Sequence, residues 1–127
     1  KKVVFALRCP TRNTAQIDGQ AACTGRWNIW EYDMSAGGPL QNGTLRRITA
    51  STQHDDVDPA YLPAGRGFVF ASNRQAKSSL NQALGRSYFA LDEYERERVF
   101  NLHTMTAQGE DIRQITFNQS HDRNPVV

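Results

Sequence analysis

The chain has 127 residues, 39% of them hydrophobic and 22% charged, a balance that excludes intrinsic disorder and gives no sign of a membrane protein. No run approaches the roughly 18 apolar residues of a bilayer-spanning helix, so no membrane insertion is expected. Fifteen basic and 13 acidic side chains leave a net charge of +2. Both signs mix even in the densest run, "DEYERER", so the basic stripe of a nucleic-acid binder is missing and no such partner is expected.

The opening "KKVVFALRCP" is basic, then apolar, but its apolar run is shorter than the roughly 7–15 residues of a secretory signal. Any targeting segment is therefore expected to be removed or to lie outside these residues. "VVFALR" is rich in β-branched and aromatic residues, with apolar side chains on both faces, the pattern of a strand buried on both sides. Cys9 and Cys23 then bracket a polar loop with no Cys-x-x-Cys spacing. A disulfide is the leading reading, which would imply an oxidising compartment, with free buried thiols and a metal site as the alternatives. "NIWEYDM" alternates, with Trp30, Tyr32 and Met34 on one face and Glu31 and Asp33 on the other. "SAGGP" supplies a turn and "TLRRIT" returns as the next strand. "DPAYLPAGRGFVFASNR" reads as two strands joined at Pro63-Ala64-Gly65, where proline presets φ and Gly65 or Gly67 accepts positive φ. The stretch 75–98 carries short helical signals, with Ser79 as a candidate N-cap and Asp92 and Arg96 spaced as an i,i+4 pair. "VFNLHTM", "AQGE" and "DIRQITF" repeat the strand, turn and strand seen before.

That repetition is the strongest signal in the chain. "RRIT" (46–49) and "RQIT" (113–116) lie 67 residues apart, as do His54-Asp55 and His121-Asp122. Asp58-Pro59 matches Asn124-Pro125 at 66, Phe5-Ala6 matches Phe70-Ala71 at 65, and "YDMSAGGP" matches "HTMTAQGE" at 71. The unit is a four-stranded antiparallel meander, strands a to d, which is the blade of a β-propeller. A blade typically takes about 40–45 residues; the surplus is an insertion between strands b and c, at 9–26 and again at 75–98. The expected fold is thus all-β, a partial β-propeller of about two blades. Residues 1–56 hold strands b, c and d of the first blade, 57–120 the second blade, and 121–127 the first strand of a third. Such a segment leaves strand edges and inner faces uncovered, so residues 1–127 alone are expected to be poorly soluble or to associate. A monodisperse monomer with a sharp unfolding transition, measured by sedimentation and thermal melting, would count against the propeller-segment reading.

"NIWEYDMSAGGPLQNGTLRRIT" followed by "DPAYLPAGRGFVFASNR" resembles the TolB-like propeller repeat, with Tyr61 in place of its usual tryptophan and Ala64 in place of the aspartate of its Asp-Gly turn. The loss of that aspartate removes a turn hydrogen bond but leaves Gly65. "LDEYERE" and "LHTMTAQGEDIRQITFNQSHDRNPVV" are also similar to propeller segments of hydrazine-synthase-alpha-like bacterial proteins, many of them large, exported and haem-associated. The resemblance implies a periplasmic or secreted scaffold, completed by further blades in the same or another chain. Its function would be to bind a protein or ligand without catalysis by these residues. The alternative it carries is the propeller part of a haem-associated oxidoreductase complex. No cofactor is evident here, because Cys-x-x-Cys-His is absent; haem would sit elsewhere in a longer chain.

The candidate ligand-binding residues are His54, Asp55, His121 and Asp122. Both pairs fall in the connection from strand d to the next strand a, which in a propeller opens near the central channel, and imidazole with carboxylate suits a transition ion. The structural reading, that these side chains hydrogen-bond the backbone of a repeated turn, takes precedence. Ser120-His121-Asp122 cannot converge as a triad, and no Gly-x-Ser-x-Gly elbow is present. Asp92, Glu93, Glu95 and Glu97 offer paired carboxylates for acid/base work, but Arg96 and Arg98 interleave with them, so a self-compensated surface run is the favoured reading. Tyr88, Phe89 and Tyr94 are expected to pack their insertion onto the blade, with contact to a partner as the alternative. "NGT" (42–44) and "NQS" (118–120) match the N-glycosylation pattern.

Overall fold

Runs of β-branched and aromatic residues, punctuated by glycine and proline, give antiparallel strands and tight connections. A computed structural model describes residues 1–17, 19–36, 43–75, 84–85, 91 and 97–127. Its strands are β1 (Lys2–Arg8), β2 (Gln16–Ile17), β3 (Gln20–Ala21), β4 (Trp27–Asp33), β5 (Thr44–Arg47), β6 (Asp56–Tyr61), β7 (Phe68–Ser72), β8 (Asn101–Met105) and β9 (Arg113–Gln114). The sheets are β1-β4-β5, the hairpin β2-β3, and β6-β7-β8-β9. The described residues contain no α-helix, and hence none long and apolar enough to cross a membrane. The helical signals at Ser79 and Asp92–Arg96 lie outside the described residues. Two compact units divide the chain, Lys1–Val57 and Asp58–Val127.

In the first unit β4 is the middle strand, with Phe5 opposite Trp30 and Trp30 opposite Arg47. The insertion lies on the Trp30 face. Cys9 and Cys23 are disulfide-bonded across a separation of 14 residues, and Ala22, Cys23 and Trp30 form a core with Phe5, Cys9 and Ile17. Closing a loop of that size restricts the unfolded chain by on the order of 3 kcal/mol. Arg47 ties the hairpin down by donating to the carbonyls of Ala21 and Ala22 while its guanidinium lies over the Trp30 ring. On the opposite face Glu31 is nearly buried and bonded to Lys2 (3.1 Å) and Arg46 (3.0 Å). Burial opposes its ionisation, but those two cations outweigh it and hold the carboxyl below the usual glutamate range.

The second unit repeats this register. Phe70 stands opposite His103, and His103 opposite Gln114. Phe5 and Phe70 are therefore equivalent at the expected offset of 65, and Arg47 and Gln114 at 67. The middle strand differs from expectation. Val3 pairs with Tyr32 and its equivalent Phe68 pairs with Met105, so Met105 corresponds to Tyr32 and not to Met34. The slip is two residues, which preserves side-chain parity; the faces were right while the residue pairs were not.

β7 is buried at every position, as its two-sided apolar pattern requires, whereas β1 is half-buried at its centre and exposed towards its ends. The reason is position: β7 lies between β6 and β8, while β1 is an edge strand among the described residues. Pro125, Val126 and Val127 form no ladder with the described residues.

The β6–β7 turn closes with the Leu62 amide donating to the Gly67 carbonyl at 2.9 Å. Ala64 sits in the left-handed region at φ 57° and ψ 29°. Gly67 has φ 125°, and a Cβ there would collide with the Met105 carbonyl and the Thr106 backbone. Ala64→Asn should raise stability by about 0.5–1 kcal/mol, since Asn tolerates this region and alanine does not. Gly67→Ala should lower it by more than about 1 kcal/mol, since both φ and the backbone contact forbid a side chain. Urea denaturation of the two variants checks both signs.

Candidate functional site

The chain leaves the last strand of each of these two sheets, β5 and β9, in the same way. At the end of β5 the amides of Ile48 and Thr49 both donate to the Ile29 carbonyl (2.8 and 3.2 Å), and the Ile29 amide donates to Thr49 Oγ1 at 3.0 Å. After β9 the amides of Ile115 and Thr116 both donate to the Leu102 carbonyl (2.9 and 3.4 Å), and the Leu102 amide donates to Thr116 Oγ1 at 2.8 Å. In each case the threonine hydroxyl takes the place of a ladder carbonyl where the strand turns away. Next to it lies a buried asparagine: Asn28 Nδ2 donates to the Ser51 carbonyl at 3.4 Å, and Asn101 Nδ2 to the Asn118 carbonyl at 3.1 Å.

The repeated His-Asp pairs close these turns, but with their roles exchanged. In the first unit Asp55 Oδ1 accepts the Trp27 amide at 2.9 Å and Oδ2 accepts Arg26 Nη1 at 3.1 Å. His54 contributes its amide, which donates to Ser51 Oγ at 2.8 Å. In the second unit the Phe100 amide, next to Asn101 as Trp27 is next to Asn28, is accepted by His121 Nδ1 at 3.0 Å. Asp122 accepts instead from Thr116 Oγ1 and from Asn118 Nδ2 (2.8 Å), and its amide donates to the Phe100 carbonyl at 2.7 Å. Burial works against ionisation of Asp122, yet hydrogen bonds from Thr116, Asn118 and Asn101 prevail and hold its carboxyl below the usual aspartate range.

The geometry thus commits both carboxylates and one imidazole nitrogen to main-chain and side-chain donors of their own unit. Among the described residues no group of three or more His, Cys, Asp or Glu side chains is placed to hold a metal ion. Of the acidic run, Glu97 is described and exposed; Asp92, Glu93 and Glu95, with Tyr88, Phe89 and Tyr94, lie outside the described residues.

Three features of the site are additional to the sequence reading. Thr49 and Thr116 were visible inside the matched "RRIT" and "RQIT" but had no assigned role. Asn28 and Asn101 were hidden by the two-residue slip in the middle strand. The third is a contact between equivalent residues of successive repeats. Arg123 ion-pairs with Asp58, and the Asn124 amide donates to Asp58 Oδ2 at 3.3 Å. Asp58 and Asn124 share a positive φ, 50° and 52°, and each precedes a proline. Arg123 also lies over the Phe100 ring at 5.3 Å. No protein-family model, curated protein or solved structure matches the chain.

Thr116→Val should cost about 2 kcal/mol, because it strips the Leu102 amide of its acceptor and Asp122 of a donor. The lowered Asp122 pKa means that its contribution is complete at neutral pH and is lost as pH falls below the ordinary aspartate value of 3.8. Asp122→Asn should therefore lower stability at pH 7 and make the acid limb of the stability–pH curve shallower. Denaturant titrations from pH 7 down to about pH 3 read both effects.

Proposed function

We propose that residues 1–127 are a non-catalytic binding or scaffold segment of an exported, TolB-like β-propeller that mediates protein or ligand interaction. Further blades in the same or another chain complete it. The single observation that carries this reading is the contact of Asp58 with Arg123 and Asn124. Asp58, in β6, bonds the residue that matches it one sequence repeat later, Asn124. A contact of that head-to-tail kind can be reiterated from repeat to repeat, as radial closure requires. The two matching hydrogen-bond sets support it, because each blade carries its own stabilising turn.

A non-catalytic role fits the use of the polar groups: Asp55, His121 and Asp122 hold main-chain amides and turn side chains. The interaction surface falls to the b–c insertions, the first of which is made rigid by the Cys9–Cys23 bond. That bond points to an oxidising compartment, periplasmic or secreted. The test is the denatured intact mass and visible absorbance of the protein in its native source. A mass well above 14.3 kDa with no haem band is the expected result. A species of this mass alone overturns the reading of a segment within a longer chain, and a haem increment transfers the segment to the oxidoreductase alternative.

A further inference from the structure

β1 and β7 are the same strand met twice, once without and once with a neighbour on the far side. Phe5 and Phe70 face equivalent partners, Trp30 and His103. Beyond β7 lies β6; beyond β1 the described residues place nothing. The consequence is visible in exposure: Val3 is 44% exposed, while its equivalent Phe68 is 1% exposed and packs at 5.3 Å from the Tyr61 ring of β6.

The main chain shows which groups are available. Lys1 accepts the Met34 amide through its carbonyl. Alternation along an antiparallel pair then turns Val3, Phe5 and Leu7 towards β4, and the amides and carbonyls of Lys2, Val4, Ala6 and Arg8 outwards. Charged residues stand only at the two ends of β1, around the uninterrupted apolar run Val3-Val4-Phe5-Ala6-Leu7. Natural edges that stay open are blunted by internal charge, proline or a bulge. β1 has none of these devices along its centre, so its edge is one to be covered.

We infer that the open edge of β1 binds an extended antiparallel strand of the β6 kind, supplied from outside residues 1–127, with an acidic or amide residue before a proline and an aromatic residue two positions after it. The occupant is set by what covers the equivalent edge in this same chain: Asp58-Pro59-Ala60-Tyr61 on β7. The aromatic residue of the incoming strand lies over Val3, as Tyr61 lies over Phe68. This goes beyond the scaffold reading and needs only the equivalence of β1 and β7, not a closed ring, so the two fail separately.

The probe is a synthetic peptide of residues 54–62 added to the full chain, followed by residue-resolved amide hydrogen exchange. Leu62 donates across to Gly67, so the amide of Ala60 also faces the partner strand and that of Tyr61 faces away. The expected result is slower exchange at Lys2, Val4, Ala6 and Arg8, by about tenfold when free peptide stands at ~10 times its dissociation constant. N-methylation at Ala60 of the peptide should abolish the effect, and N-methylation at Tyr61 should spare it. Unchanged exchange at these four amides, protection that survives methylation at Ala60, or altered exchange confined to Val69 and Ala71 each overturns the proposal. So does protection that grows with chain concentration alone and extends to Val126 and Val127, which would make the occupant the C-terminal strand of a second copy.

Discussion

Each unit depends on a threonine hydroxyl that stands in for a carbonyl. β5 and β9 each leave their neighbouring strand after a few residues, and leaving orphans a main-chain amide of β4 or β8. An unsatisfied buried amide costs on the order of 1–3 kcal/mol. Thr49 and Thr116 accept the amides of Ile29 and Leu102 at the point of departure, so the strand can end without that penalty. The isoleucine before each threonine shares the same carbonyl with it. This explains why an isoleucine-threonine pair recurs at the end of a strand when the residues further along are free to differ. It also locates the asparagines: Asn28 and Asn101 sit one residue before the clamped amide and bridge to the loop beyond.

The clamp makes the exchange of roles between the two His-Asp pairs intelligible. Once the threonine has fixed the strand end, the next amide back, of Trp27 or Phe100, needs an acceptor from the following loop. Asp55 supplies it in one unit and His121 in the other. A carboxylate oxygen and an imidazole nitrogen are interchangeable for accepting one N–H, which is a weak demand on residue type. The side chains of Asp55, His121 and Asp122 thus serve main-chain and turn donors of their own units.

What could be read in the sequence was whatever strand periodicity and turn chemistry determine locally. The order of strands, the buried character of "GFVFAS", the turn at Pro63–Gly65 and the pairing of Cys9 with Cys23 all follow from residues close in sequence or from the simplest pairing of two cysteines. The register of the middle strand did not, because "YDM" and "HTM" offered an attractive match and a slip of two leaves the burial pattern unchanged. The exposure of β1 was also out of reach. Its residues resemble those of β7, and only the missing neighbour, not the composition, distinguishes them. The ion pair of Arg123 with Asp58 joins residues 65 apart, and nothing in the local pattern of either marks it.

That ion pair bears on why two non-glycine residues keep a strained backbone. Asp58 and Asn124 hold positive φ immediately before proline, a choice that costs on the order of 1 kcal/mol per residue even for the types that tolerate it best. Strain at a single site could be an accident of one loop. It recurs at two matched positions, in Asp and in Asn, types that tolerate it, which points to a shared geometric need. Within the second unit that need is visible, since Asp58 accepts from Arg123 and from the amide of Asn124 itself. The strained residue of one repeat is thus the acceptor for the strained residue of the next. Relaxing either one would draw the Asp58 carboxylate away from the Asn124 amide and from Arg123. The strain at Asp58 and Asn124 thus belongs to the contact these two residues make with each other, and its geometry is what that contact has to keep.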